Sequence, residues 1–246
     1  MAGGPHTYPR TVRRAVRTVP HYRERYAATG TLPPLGRAEA EERRHLLMPL
    51  GAAPPARREP GRPAAEHVDE LYEALRLAGH RTRGLDVYEA ARGLRDPVRA
   101  HGSTWRTVLT ADARTDPYAE GGTRPGTLPE GPAVVVGDPG GTGPPCGPDQ
   151  ARVARTSLAE TAASGPLPGA LWYEPWLGHL GAVPPSCGEL HLNTGRVDAR
   201  PLGDTTVLTL LRRRLPTLVH ARPDAAESFR PGRCPVHGTP IMRRTP

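Results

Sequence analysis

Ala133-Val134-Val135-Val136 runs directly into Gly137-Asp138-Pro139-Gly140-Gly141-Thr142-Gly143. A short apolar run rich in β-branched residues, stopped by glycine and proline, predicts a buried strand with a flexible turn at its carboxyl end. With helical segments before it and short strands after it, the expected fold class is α/β.

Upstream of this strand the chain reads mostly as helix. Residues 11–29 form a basic helical stretch with Val12, Ala15, Val16 and Val19 at helical spacing. Pro20 interrupts it before His21–Tyr26, and Gly30 is its C-cap. Leu32-Pro-Pro-Leu35 is an extended connector, and Arg37–Met48 a charged helix. Residues 51–64 (GAAPPARREPGRPA) have the composition of a linker. Helix returns from Glu66 to Leu77, with Val68, Leu71, Tyr72 and Leu75 on one face, and Leu85–Leu94 predicts a shorter helix. Residues 110–132 read as a long polar loop.

Downstream, a helix is expected over Gln150–Ala163. Short strands follow at Ala170–Tyr173, Glu189–Asn193, Thr205–Leu210 and Pro216–His220, with Gly203-Asp204 as a turn. The expected organisation is an N-terminal helical segment (1–50), a linker (51–64), a helical and Gly-rich α/β segment (65–164) and a strand-rich region (165–246).

Composition narrows the function. Proline and glycine are abundant (31 and 28 of 246 residues) and aromatics supply only 4%, which predicts long coil segments around a modest core. All 33 basic residues are arginine, and the net charge of +8 attracts polyanions such as ATP, coenzyme A, nucleic acid or anionic lipid. No aromatic–basic interleaving or recognition-helix pattern accompanies that charge, which argues against nucleic-acid binding. Three cysteines argue against a disulfide framework. There is no apolar stretch of signal-peptide or membrane-span length, so the expectation is a cytoplasmic protein with no membrane partner.

Cys187-Gly-Glu-Leu-His191 and Cys234-Pro-Val-His237 offer two thiols and two imidazoles from two short elements. Zinc favours four such ligands in a tetrahedron, which predicts a closed, structural site clipping the C-terminal loop to the strand region. The alternative is free thiols beside unrelated histidines. Cys146 has no such partner nearby, and His179 and His220 read as structural histidines.

Four pieces in order carry a family resemblance: Val19-Pro-His-Tyr-Arg-Glu-Arg-Tyr26 with Gly30 and Leu32; Gly178–Asn193 (GHLGAVPPSCGELHLN); Thr205–Asp224 (TTVLTLLRRRLPTLVHARPD); and Cys234-Pro-Val-His-Gly-Thr-Pro240. Together they resemble the phenylacetate-CoA ligase group of acyl-adenylate-forming enzymes, some of which hold a metal at the Cys/His position. The resemblance implies a reduced adenylate-forming core with N-terminal helices and a C-terminal strand-rich region. It implies ATP-dependent activation of a small carboxylic acid, with ATP and magnesium as cofactors.

In that group a Gly/Ser/Thr-rich loop wraps the ATP phosphates with inward-pointing N–H groups. Two segments compete for the role: His101-Gly102-Ser103-Thr104, and Gly140-Gly141-Thr142-Gly143. Either also reads as a plain surface turn, and neither is a Walker A loop, because no Gly-Lys-Ser/Thr completes it. Tyr173 stands where the group has an aromatic near adenine, and Glu174 where an acid holds magnesium. Asp224 stands where a carboxylate accepts from the ribose hydroxyls. Glu174 reads equally as a surface acid, and Asp224 as a loop carboxylate.

The chain is shorter than full members of the group, with about 30 residues between Gly143 and Tyr173. It ends at Pro246, where they have a further small domain that donates a lysine. A second function follows: a noncatalytic remnant of the fold, acting as an accessory with a protein partner that supplies the missing elements.

Overall fold

The computed structural model describes residues 7–51, 62–80, 86–91, 98–101, 106–111, 132–139, 149–213 and 216–245. Helices α1 (Thr7–Thr18) and α2 (Pro20–Thr29) break where Pro20 was expected to interrupt, because proline suits the first helical position and no interior one. Gly30 ends α2 in a left-handed conformation, its N–H bonded to the Tyr26 carbonyl. Ala15, Val19 and Tyr22 are buried. After the extended connector come strand β1 (Leu35–Gly36), a short α3 (Arg37–Glu42) and a 3-10 turn over Arg44–Leu47, in place of one helix to Met48.

Helix α4 (Arg62–Leu77) buries Val68, Leu71, Tyr72 and Leu75, the face its periodicity predicts. It begins within the stretch of linker composition, and residues 52–61 of that stretch lie outside the described set. The expected helix over Leu85–Leu94 is instead strand β2 (Asp86–Ala91). The reason is position: β2 lies between β4 (Arg106–Ala111) and β5 (Ala133–Gly137), parallel to both. Pairing on both edges overrides the helical preference of Glu-Ala-Ala-Arg. Strand β3 (Val98–His101) forms the sheet edge beyond β4.

The helix expected over Gln150–Ala163 divides into β6 (Gln150–Thr156) and α5 (Leu158–Ser164). Ser157 and Glu160 form a reciprocal capping box at the boundary, which fixes where α5 starts. Strands β7 (Leu171–Glu174), β8 (Gly178–Ala182), β9 (Leu190–Leu192), β10 (Val197–Leu202) and β11 (Thr205–Leu210) follow. Gly203-Asp204 is the two-residue loop between β10 and β11. Pro216–His220 is not a strand; only Ala221–Arg222 (β12) pairs. Its backbone is engaged elsewhere, since the Thr217 N–H bonds to the Leu47 carbonyl and the Val219 N–H to the Tyr22 hydroxyl at 2.8 Å. The last strands are β13 (Phe229–Arg233) and β14 (Pro240–Arg244).

Two sheets result. The smaller has the order β1-β12-β11-β10, and the larger β13-β14-β9-β8-β7-β6-β5-β2-β4-β3. Within the larger, β4, β2, β5, β6 and β7 are parallel, and the C-terminal strands continue it in antiparallel fashion. The sheet therefore passes without a break from β6 to β7, across residue 165. Counted in chain order, the parallel five run 2-1-3-4-5, and the order reverses between β2 and β5. In open α/β sheets, ligands favour the carboxyl ends of the strands beside such a reversal. One apolar cluster packs α4 against β2, β5 and β6; another joins the N-terminal helices to the strand-rich region.

Candidate functional site

The sequence-predicted thiols and imidazoles converge. Cys187 lies in the turn between β8 and β9 and His191 within β9, while Cys234 and His237 lie in the turn between β13 and β14. Strand β14 pairs with β9, placing Ile241 opposite His191, so the two turns sit side by side. Gly188 and Gly238, each just after a ligand residue, take left-handed values that tighten the turns. Gly181 on β8 has no room for a side chain, because a methyl there would collide with the His191 carbonyl.

One donor atom from each of the four residues lies within 4.8 Å of the others. Cys187 Sγ is 3.1 Å from His191 Nε2, and Cys234 Sγ is 3.4 Å from His237 Nδ1. A tetrahedral ion at zinc-like bond lengths spaces sulfur and nitrogen ligands by about 3.5 Å, so the set fits a metal ion. The outward nitrogens are occupied as well. Thr239 Oγ1 is 2.9 Å from His191 Nδ1, and Ser186 Oγ is 3.3 Å from His237 Nε2, which orients each ring with its free nitrogen inward. Burial lowers the pKa of His191, favouring the neutral imidazole that a metal needs.

A second cluster, which the sequence did not disclose, occupies the carboxyl ends of the parallel strands. Glu89 of β2 is fully buried. Its Oε2 lies 2.5 Å from His67 Nε2 of α4, and its Oε1 lies 2.8 Å from His179 Nε2 of β8. Arg155 of β6 donates through Nη1 to Glu89 Oε1 (3.2 Å) and through Nε to Asp138 (2.7 Å), just beyond β5. Tyr173 of β7 covers the group, with its ring centroid 4.8 Å from that of His179 and 4.7 Å from the Arg155 guanidinium carbon. Gly178, at φ 90, leaves space that Glu70 and Arg213 enter.

Burial works against charge on Glu89, but the two imidazoles and their hydrogen bonds outweigh it and hold its pKa well below the ordinary value. Burial likewise disfavours charge on His67, and the Glu89 carboxylate reverses the sign, leaving His67 raised. For His179 burial prevails and its pKa is lowered. The environment thus separates two histidines that share one carboxylate.

The remaining predicted residues lie in several places. Glu174, at the end of β7, is buried and not a surface acid. Its Oε1 accepts from the Leu158 N–H (2.7 Å) and from Trp172 Nε1 (3.0 Å), which anchors the start of α5. Burial pushes its pKa up to about 7, those two donors oppose the rise, and the charges of Asp224 and Glu160 add to it. Asp224 lies just after β12, in the other sheet. Arg37 feels both carboxylates, although Glu41 is its main partner. His101 closes β3 at the sheet edge, five strands from Tyr173. Ser103, Thr104, Gly140, Gly141, Thr142, Gly143 and Cys146 lie outside the described residues. His220 is a joint, placed 2.8 Å from the Tyr8 hydroxyl and 2.7 Å from the Leu32 carbonyl.

No protein-family model, curated protein or solved structure matches the chain. Among the described residues, no helix is long and apolar enough to cross a membrane.

Proposed function

We propose that the chain activates a small carboxylic acid with ATP as an acyl-adenylate, on a reduced adenylate-forming core whose strand-rich half is clipped by a structural zinc ion. The observation that carries this reading is the placing of Glu174 beside the segment that holds Asp224. Glu174 anchors the start of α5, and α5 packs against the 3-10 turn at Ala226–Ser228, two residues beyond Asp224. Asp224 would accept from the ribose hydroxyls, and Tyr173 would stand near the adenine. Glu174 Oε1 already takes two N–H donors, leaving Oε2 as the oxygen for magnesium. ATP supplies the leaving pyrophosphate; the residues align the acid and stabilise charge.

The zinc would be held by Cys187, His191, Cys234 and His237. Four protein ligands fill a tetrahedral shell, which suits a folding role and leaves no position for water. Thiol ligands suit a reducing compartment, so we place the protein in the cytoplasm. ATP–pyrophosphate exchange across a panel of small acids tests the activity. The reading is lost if no acid supports exchange and millimolar ATP does not bind.

One observation favours a second reading, a noncatalytic accessory protein that works with a partner chain. Glu174 is fully explained as the anchor of α5, a structural duty that needs no metal. This reading expects stable association with a second polypeptide and no exchange.

A further inference from the structure

The His67–Glu89–His179 group has the composition of a metal site, but its spacing differs. Ligands of one ion at about 2.0–2.1 Å stand roughly 2.9 to 3.4 Å apart in octahedral or tetrahedral arrangement. The imidazole nitrogens here stand 2.5 and 2.8 Å from the Glu89 oxygens, which are hydrogen-bond distances. Charge points the same way. The Arg155 guanidinium already sits against Glu89 Oε1 and Asp138, and its positive charge repels a divalent cation from those oxygens. The cluster is built to hold protons.

Its members differ in access. The His179 and Glu89 side chains are completely buried, whereas that of His67 is 22% exposed. Glu89 engages His67 through Nε2, so Nδ1 is the nitrogen left to face a ligand; among the described residues it has no hydrogen-bond partner. A carboxylate that fixes one nitrogen of a partly exposed imidazole and leaves the other unengaged is the arrangement of an oriented general base.

We propose that His67, held by Glu89, accepts the proton of the nucleophile that takes up the activated acyl group, an amine, thiol or alcohol docked at the carboxyl ends of the parallel strands. This rests on the acyl-adenylate reading. In the step, the acceptor's lone pair closes on the acyl carbon and the bond from that carbon to the phosphate oxygen breaks. AMP leaves with that electron pair, and the acceptor's proton passes to His67 Nδ1 while Nε2–H stays on Glu89. His67 is faced by Glu89, Glu70, Arg213, His179 and Tyr173. The balance among the charged groups leaves it more basic than an ordinary histidine, as a proton acceptor requires.

The test measures acyl transfer from ATP and an accepted acid to ethylamine, ethanethiol and ethanol, and to hydroxylamine, which attacks without a base. His67→Gln keeps an N–H for Glu89 but cannot take up a proton. Transfer to a base-dependent acceptor, relative to pyrophosphate exchange, should fall by about 10² to 10⁴-fold in this variant. Transfer to hydroxylamine should fall far less, and the rise of the wild-type rate with pH should flatten. Unchanged transfer in His67→Gln overturns the inference, and so does a wild type that exchanges yet serves none of the three acceptors. Absence of exchange altogether overturns the underlying activity instead. NMR titration adds a readout free of turnover: His67 should titrate above the ordinary histidine value and drop in Glu89→Gln, and a His67 that titrates below that value overturns the base assignment.

Discussion

Two clusters of histidines are set along one sheet, the second completed by His67 of α4, and they differ in the spacing of their side chains. In the C-terminal turns, sulfur and nitrogen stand 3.1 and 3.4 Å apart, with hydroxyls behind each ring. At the carboxyl ends of the parallel strands, imidazole and carboxylate close to 2.5 and 2.8 Å, with a guanidinium alongside. The first spacing leaves room for an ion; the second is already bridged by protons. Similar residue types are therefore spaced to take a metal ion in one place and to share protons in the other.

The largest effect expected is on the clip. Mass spectrometry under native conditions should find one zinc per chain, absent in Cys234→Ser. Chelation should lower the melting temperature steeply, because structural zinc supplies on the order of 10 kcal/mol in small domains. Zinc retained by a variant lacking both Cys187 and Cys234 would break the contrast at once.

Next comes Glu89→Ala, which takes the shared acceptor from His67 and His179 and leaves Arg155 with Asp138 alone; it should cost about 3–5 kcal/mol in denaturant unfolding without altering zinc content. Loss of zinc in that variant would mean that the two clusters are one cooperative unit.

Acidity separates them further. His67 is raised, so its contribution is complete below about pH 6.5 and fades as pH climbs through its folded pKa. Glu89 is depressed, so its contribution is complete above about pH 4.5 and fades as pH falls below that. Their combined support should therefore peak between these values. Glu174 adds a decline from pH 4.5 to about 7, worth about 3 kcal/mol at 1.36 kcal/mol per unit. Unfolding free energy measured against pH should lose that decline in Glu174→Gln.

The smallest effect is Thr239→Val. Removing the hydroxyl behind His191 should weaken zinc binding about 10- to 100-fold in a competition titration and leave the His67 titration unmoved.

What the sequence discloses follows the range of the interactions involved. Pro20, Gly30 and the apolar face of α4 act within a turn or two, and each appears where its local chemistry places it. The Cys/His set was legible because each pair is short-range and its residue types are distinctive. Glu89 was not, because its segment looks helical and only β4 and β5 make it a strand. Read as a strand beside Ala133–Val136, the same residues would have put a carboxylate at the carboxyl edge. The boundary between β6 and α5 was within reach, since Ser157-x-x-Glu160 is a capping box. Pro216–His220 misled because distant groups take its backbone: the Thr217 and Val219 N–H groups bond to Leu47 and Tyr22, about 170 to 200 residues earlier.

The position of β14 bears on how the chain matures. It lies inside the sheet, between β13 and β9, and meets β9 across a separation of 50 residues, Ile241 to His191. During synthesis, β9 leaves the ribosome well before β14 exists, so an unfinished sheet edge waits without its neighbour. A nascent chain in that state is open to mispairing and to chaperone capture. A metal ion taken up by the Cys/His set would then raise yield, by docking the late hairpin before that edge finds another strand.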